Sequence, residues 1–302
     1  MLIILTVNFK MKIKGLFTAI VTPFDEDGKI DEDGLRRNID FQIENGVDGI
    51  VPVGTTGESA TLSEEEHKRV VEISIDQVNG RVLVLAGTGS NSTEEAITYT
   101  KHAKDAGADA VLMISPYYNK PTQEGIYQHY KKVAETVDIP IIMYTVPSRT
   151  MVNIEPETSK RLSEIPNIIG IKDATGNLNQ VSREIQLCGE NFSVLSGDDS
   201  VNLPIIALGG MGAISVVSNI APKMMGELVH KALNGRFEEA REIHYKLYPL
   251  SKILFIETNP APVKFAMNMM GLAAGNPRLP LVPVSNKSKE RIMDVLKELE
   301  LI

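Results

Sequence analysis

Eight short apolar runs, each followed by a longer stretch of helical periodicity, recur between Gly15 and Ala221, and nothing else in the chain narrows its fold so far. Such alternation argues for parallel βα units, because parallel strands need a crossover between them, usually a helix. The runs are Leu16 to Val21, Gly49 to Val53, Val82 to Ala86, Ala110 to Ile114, Ile139 to Tyr144, Ile168 to Ile171, Phe192 to Leu195 and Ala213 to Val216. Helix starts fall between them. Ser63-Glu64-Glu65-Glu66 is a capping box, and further starts are expected near Asp31, Ser92, Thr122, Pro156 and Asn177. Eight units over about 220 residues predict an α/β fold, a closed (β/α)8 TIM barrel, with a doubly wound open sheet as the alternative.

Beyond Ala221 the strand signals stop. Three helical stretches are expected, at 224–234, at 237–270 with a break near Pro260, and at 287–299. The expected organisation is an N-terminal extension over residues 1–10, a barrel over 11–233 and a C-terminal helical appendage over 234–302. The run Leu2 to Val7 has neither a basic flank before it nor a small-residue cleavage site after it, so no signal peptide is expected, and Met11 reads as an alternative start. No apolar run approaches the ~20 residues a membrane span requires.

In a barrel of this kind the functional groups collect just past the carboxyl ends of the strands. There the chain places Gly54-Thr55-Thr56-Gly57-Glu58, then Ser115 to Pro121 with Tyr117 and Tyr118, then Tyr144 and Arg149, then Lys172, and then Ser196-Gly197-Asp198-Asp199. Lys172 closes Ile168-Ile169-Gly170-Ile171, where burial disfavours the ammonium form and frees a lone pair to attack a carbonyl carbon. Tyrosine and threonine hydroxyls beside it can pass protons. The glycine-flanked threonines offer amides and hydroxyls to a carboxylate, and Arg149 offers a planar fork. Taken singly, each of these side chains has an ordinary role in a turn, a core or a surface ion pair. Their common phase within the repeat argues for a shared site, suited to a small anionic carbonyl compound with few free carboxylates nearby. Gly170, of the same strand parity as Lys172, is expected to leave room for the lysine stem.

Other chemistries fit less well. The net charge of −8 is spread along the chain, and there is no Trp, which speaks against a nucleic-acid surface. A lone Cys188 rules out an intramolecular disulfide or a cysteine zinc cluster and fits a reducing cytoplasm. The five histidines lack ligand spacing, which disfavours a zinc-dependent aldolase. Gly87-Thr88-Gly89 is an incomplete dinucleotide fingerprint, and Asp25-Glu26-Asp27-Gly28 lacks the spacing of a calcium loop. Gly209-Gly210-Met211-Gly212 precedes strand eight and so belongs at the opposite end of the barrel.

Gly-Thr-Thr-Gly-Glu at 54–58 and Ile-Gly-Ile-Lys-Asp at 169–173 closely resemble the dihydrodipicolinate synthase and N-acetylneuraminate lyase family of class I aldolases, a likeness running from about Gly15 to Pro283. Tyr144 to Thr150 looks like the synthase branch, although Thr145 stands where that branch usually has Asn. The resemblance implies a Schiff base between Lys172 and pyruvate, with Tyr144 as proton donor and acceptor. It also implies a relay completed by Thr55 and by Tyr118 of a neighbouring subunit, and pyruvate held by Thr56 and the Ile214 backbone. Arg149 would hold the carboxylate of L-aspartate-4-semialdehyde, in the first committed step of diaminopimelate and lysine biosynthesis. No metal or nucleotide cofactor is implied, and the assembly implied is a homotetramer built from two dimers. Some members are inhibited by lysine, and the positions resembling their effector site are Ser59, Ala60, His67, Asn91, Glu95 and Tyr117, with Glu64 where some sensitive members carry His. The rival readings are a lyase of sialic acid or 2-keto-3-deoxy sugar acids, and a catalytically silent barrel that binds a keto acid.

Overall fold

The computed structural model describes residues 11–302, so the expected extension over residues 1–10 lies outside the described residues. Eight strands form a closed parallel barrel in chain order. They are β1 (Gly15–Ala19), β2 (Gly49–Val51), β3 (Leu83–Gly87), β4 (Ala110–Ile114), β5 (Ile141–Thr145), β6 (Ile168–Asp173), β7 (Ser193–Ser196) and β8 (Gly212–Ser215). β8 pairs back onto β1, which settles the barrel over the open sheet. The helices are α1 (Glu32–Glu44), α2 (Glu64–Val78), α3 (Thr93–Ala106), α4 (Gln123–Thr136), α5 (Pro147–Thr150) and α6 (Pro156–Leu162). They continue as α7 (Leu178–Cys188), α8 (Asn202–Ala207), α9 (Pro222–Leu233), α10 (Phe237–Ile253), α11 (Ala261–Met269) and α12 (Asn286–Glu298).

The start signals act as local chemistry requires. Asp31, Ser63, Ser92, Thr122 and Asn177 each accept a hydrogen bond from a backbone N–H in the first turn of the helix that follows. At Ser63 the Glu66 carboxylate answers the N-cap amide, which completes the box. Pro156 occupies the first turn of α6, where its missing N–H costs nothing. The expected C-terminal helix broken near Pro260 is two helices, α10 and α11, separated by residues 254–260. That connection carries Asn259, which bonds both Thr56 and Arg149. The short α5, which carries Arg149, was not anticipated.

Strand side chains sort into two buried groups. Phe17, Val51, Leu85, Leu112, Ile142, Leu195 and Ile214 fill the barrel interior, while Leu16, Ile50, Val84, Val111, Met143, Val194 and Ala213 pack outward against the helices. β6 breaks the alternation: Ile169 joins the interior, yet Ile171, two residues on, packs outward. The cause is an irregularity in the β5–β6 ladder, where Ile141 pairs with Ile168 but Ile142 pairs with Gly170. One extra residue inverts the phase of everything after it, so Lys172, not Ile171, points into the barrel.

Candidate active site

The bulge sets Lys172 directly beside Tyr144 on β5, the two residues being partners in register. The Lys172 Nζ lies 4.3 Å from the centroid of the Tyr144 ring. Both side chains are buried, at 5% and 7% exposure, yet both face a cavity of about 670 Å³ at the carboxyl end of the barrel. Burial pulls the Lys172 ammonium down to about 8; the Asp199 charge resists this and Arg149 adds to it. The Tyr144 phenol is pushed up by burial and partly restored by Arg149 and the Thr55 hydroxyl. The pair thus combines an amine that frees its lone pair near neutrality with a phenol that keeps its proton.

Thr55, Thr56 and Arg149 line the same cavity. The threonine loop is held in an uncommon backbone conformation, with Val53 at φ +49° and Glu58 at φ +55°. A β-branched residue at positive φ is a steric outlier, of the kind that clusters at functional sites. Thr56 and Arg149 meet at one residue of the 254–260 connection: the Asn259 side-chain amide donates to Thr56 Oγ1 at 3.0 Å, and the Asn259 carbonyl accepts from Arg149 Nη2 at 3.1 Å. Asn259 was not anticipated as a site residue; its only signal was the Asn-Pro-Ala-Pro helix boundary. Ile214 packs in the interior below the cavity, and its neighbour Val216 reaches the wall. Tyr118 lies apart from these groups, 89% exposed and at φ +71°.

Two expectations need correction. Gly170 leaves no space for the lysine stem, because a Cβ there would sit 2.5 Å from the Ser193 carbonyl oxygen on β7. The room comes from Gly197 instead, where a Cβ would lie 2.9 Å from Lys172 Cε. Nor is the mouth poor in carboxylates: Asp198 and Glu257 face the cavity, and Asp199 is buried nearby. Thr145 turns away from the cavity, its hydroxyl donating to Asn153 Oδ1 at 3.0 Å and accepting from the Ile154 N–H at 3.2 Å. Its departure from Asn therefore leaves Tyr144 and Arg149 in place.

A second cavity of about 490 Å³ shares Thr55, Tyr144, Arg149 and Asn259 with the first as a common wall. Ser59, Ala60, His67, Glu95 and Tyr117 line it, while Asn91 stands behind, its side-chain amide donating to the Tyr117 carbonyl at 3.1 Å. His67 stacks on Tyr99 at 4.0 Å, and burial drives its imidazole down to about 4, so the ring is neutral at physiological pH. Glu64 pairs instead with Lys68 on its own helix at 2.6 Å.

A model of the dihydrodipicolinate synthetase family matches residues 12–299. The chain belongs to this family. It is an enzyme of the lyase class and class I aldolase type. The 4-hydroxy-tetrahydrodipicolinate synthase of Methanocaldococcus jannaschii is 60% identical over 290 residues, covering 96% of this chain and 99% of that protein. A crystal structure of a dihydrodipicolinate synthase superposes with a TM-score of 0.94 at 59% identity, covering 96% of this chain and all of the other. The chloride-inhibited synthase of Acinetobacter baumannii, solved with pyruvate bound, gives a TM-score of 0.95 at 47% identity and covers 96% of this chain and 100% of its own.

Proposed function

We propose that the protein catalyses the 4-hydroxy-tetrahydrodipicolinate synthase reaction, condensing pyruvate with L-aspartate-4-semialdehyde through a Schiff base on Lys172. The observation that carries this reading is the in-register Tyr144–Lys172 pair at the floor of a cavity ringed by Thr55, Thr56 and Arg149. The Lys172 lone pair attacks C2 of pyruvate, forming the C–N bond, while the carbonyl oxygen takes a proton from the Tyr144 phenol. The Tyr144 phenolate then takes a proton from the new nitrogen centre and passes it to that oxygen, which leaves as water and gives the iminium. Loss of a C3 proton gives an enamine, whose C3 attacks the aldehyde carbon of the semialdehyde. The semialdehyde amine then attacks the iminium carbon, closes the ring and returns Lys172 as the free amine.

In this reading Tyr144 carries protons, with Thr55 and Tyr118 completing the relay, and Thr56 and the Ile214 backbone seat the pyruvate carboxylate. Arg149 seats the second carboxylate. The 89% exposure of Tyr118 fits a side chain that completes its contacts in a second copy of the chain, within a dimer or a tetramer built from two dimers. Residues 11–233 then form the reacting barrel, and 234–302 supply the Asn259 bridge and the outer lip. The five matching side chains around the second cavity, sharing a wall with the first, support a lysine effector site there. No helix among the described residues is long and apolar enough to cross a membrane, and a cytoplasmic location belongs to the same reading.

The test is product formation from pyruvate with L-aspartate-4-semialdehyde, coupled to an NADPH-dependent reductase, beside N-acetylmannosamine and glyceraldehyde as rival aldehydes. Turnover with the semialdehyde in clear preference is the expected result. Turnover only with a sugar aldehyde overturns the substrate, and no borohydride-trapped pyruvate adduct on Lys172 overturns the mechanism.

A further inference from the structure

We infer that Asp199 is a positioning residue that acts as the fixed counter-charge of the Lys172 nitrogen, an inference that rests on the Schiff-base reading above. Asp199 stands in the turn after β7 and is buried. All its partners are neutral donors. One carboxylate oxygen accepts the backbone N–H groups of Val216 and Val217, each at 2.9 Å, and the other accepts from Asn202 Nδ2 at 2.9 Å. Burial pushes this carboxyl up, while donors alone surround it and favour the ionised form.

The lysine stem runs against the same turn. Lys172 pairs with Leu195 on β7, and Gly197, two residues before Asp199, is the position whose missing Cβ makes room for Lys172 Cε. The same carboxylate clamps Val216 and Val217, just past Ile214 on β8. One buried charge therefore ties the mouths of β7 and β8 together, in the turn whose Gly197 packs against Lys172 Cε, and its field opposes the loss of the Lys172 proton. The other titratable groups lining the cavity onto which Lys172 opens are Tyr144 from β5, Arg149 from α5, Asp198 in the same turn, and Lys252 and Glu257 on the C-terminal side.

The nitrogen changes charge during the reaction: it must be neutral to attack C2 and becomes cationic in the iminium. A fixed negative charge makes the first condition harder to meet and stabilises the second. Removing it should produce two effects of opposite sign, which loss of a hydrogen bond alone would not do.

Asp199→Asn is the direct test. Its remaining oxygen can still accept from Val216 and Val217, and its amide can donate to Asn202 Oδ1, which has no partner among the described residues. The readouts are the rate of pyruvate-dependent borohydride trapping as a function of pH, the condensation rate, and thermal unfolding. The expected result is that the rise of trapping with pH moves toward acid by roughly one unit. Condensation turnover should fall about tenfold. An unshifted rise, or unimpaired condensation, overturns the inference. If Asp199→Asn does not fold, Asp199→Ser, small enough to admit a bridging water, carries the same measurement with the same expected shift. Wild-type chain that forms no adduct on Lys172 overturns the Schiff-base reading itself, whereas an adduct with an unshifted rise in the variant overturns only the role of Asp199.

Discussion

Two buried lysines, one on β6 and one on α11, show how little a perturbed amine says by itself. Burial lowers both Lys172 and Lys264 to about 8. Lys264 is wholly enclosed: its ammonium pairs with Glu58, lies 4.0 Å from the Phe24 ring centroid and donates to the Asn276 carbonyl at 3.3 Å. Among the described residues no carboxylate pairs directly with Lys172, Asp199 acting on it only through its field, and its nitrogen opens onto a cavity large enough for two small substrates. The first lysine is a fastener. Glu58 follows the threonine loop and also accepts the Arg278 N–H at 2.9 Å, while the Arg278 guanidinium grips Glu66 at 2.6 and 2.7 Å. The C-terminal region is thereby fixed to the loop that presents Thr55 and Thr56. Access and partner, rather than depressed basicity, separate a nucleophile from a structural cation.

The comparison breaks most sharply on exchange of each lysine. Lys172→Met should abolish the borohydride-trapped adduct and lower turnover by at least ~10³-fold, whereas Lys264→Met should still form the adduct, as intact mass would show. An adduct that survived the first change and vanished with the second would reverse the two roles. Stability should respond in the opposite order. Lys264→Met strands the Glu58 carboxylate in the interior and should cost about 3–5 kcal/mol in denaturant unfolding, with much of the loss recovered in Glu58→Gln/Lys264→Met. Lys172→Met, which removes an amine with no carboxylate in contact, should cost far less.

A finer change tests the space around the nucleophile. Gly197→Ala puts a methyl where Lys172 Cε and Ala174 Cβ now stand, at 2.9 and 2.8 Å, so adduct formation should slow by about 10–100-fold through displacement of the amine. Wild-type rates there would show that the stem has slack. The smallest effect is in pH. Below about 8 the Lys172 ammonium prevails, so adduct formation should rise through that value and level off above it. Lys264→Met should leave that profile where it is; a shift would mean that the two amines are coupled across the threonine loop.

Much of this was legible in residue order. Strand starts and helix caps are local, and Ser63, Thr122 and Asn177 show it, since each satisfies an amide within three residues of itself. The grouping of Thr55, Tyr144, Arg149 and Lys172 followed from repeat phase alone, because every strand of a parallel barrel ends at the same face. Repeat phase put Asp199 at the mouth, but its partners were not legible, and Asn259 was not legible as a site residue at all. Asp199 acts through amides 17 and 18 residues away, and Asn259 through a hydroxyl 203 residues away.

Residue order set the number of βα units, their succession and the residues presented at the mouth, all consequences of periodicity and short-range hydrogen bonding. The tertiary structure alone decided which face of β6 carries the nucleophile, because the irregularity opposite Ile141 and Ile142 exists only in the pairing of two strands and reverses the inward phase after Ile169. It also decided which buried lysine meets a carboxylate and which meets open space, since burial and charge pairing are properties of chain segments brought together from far apart.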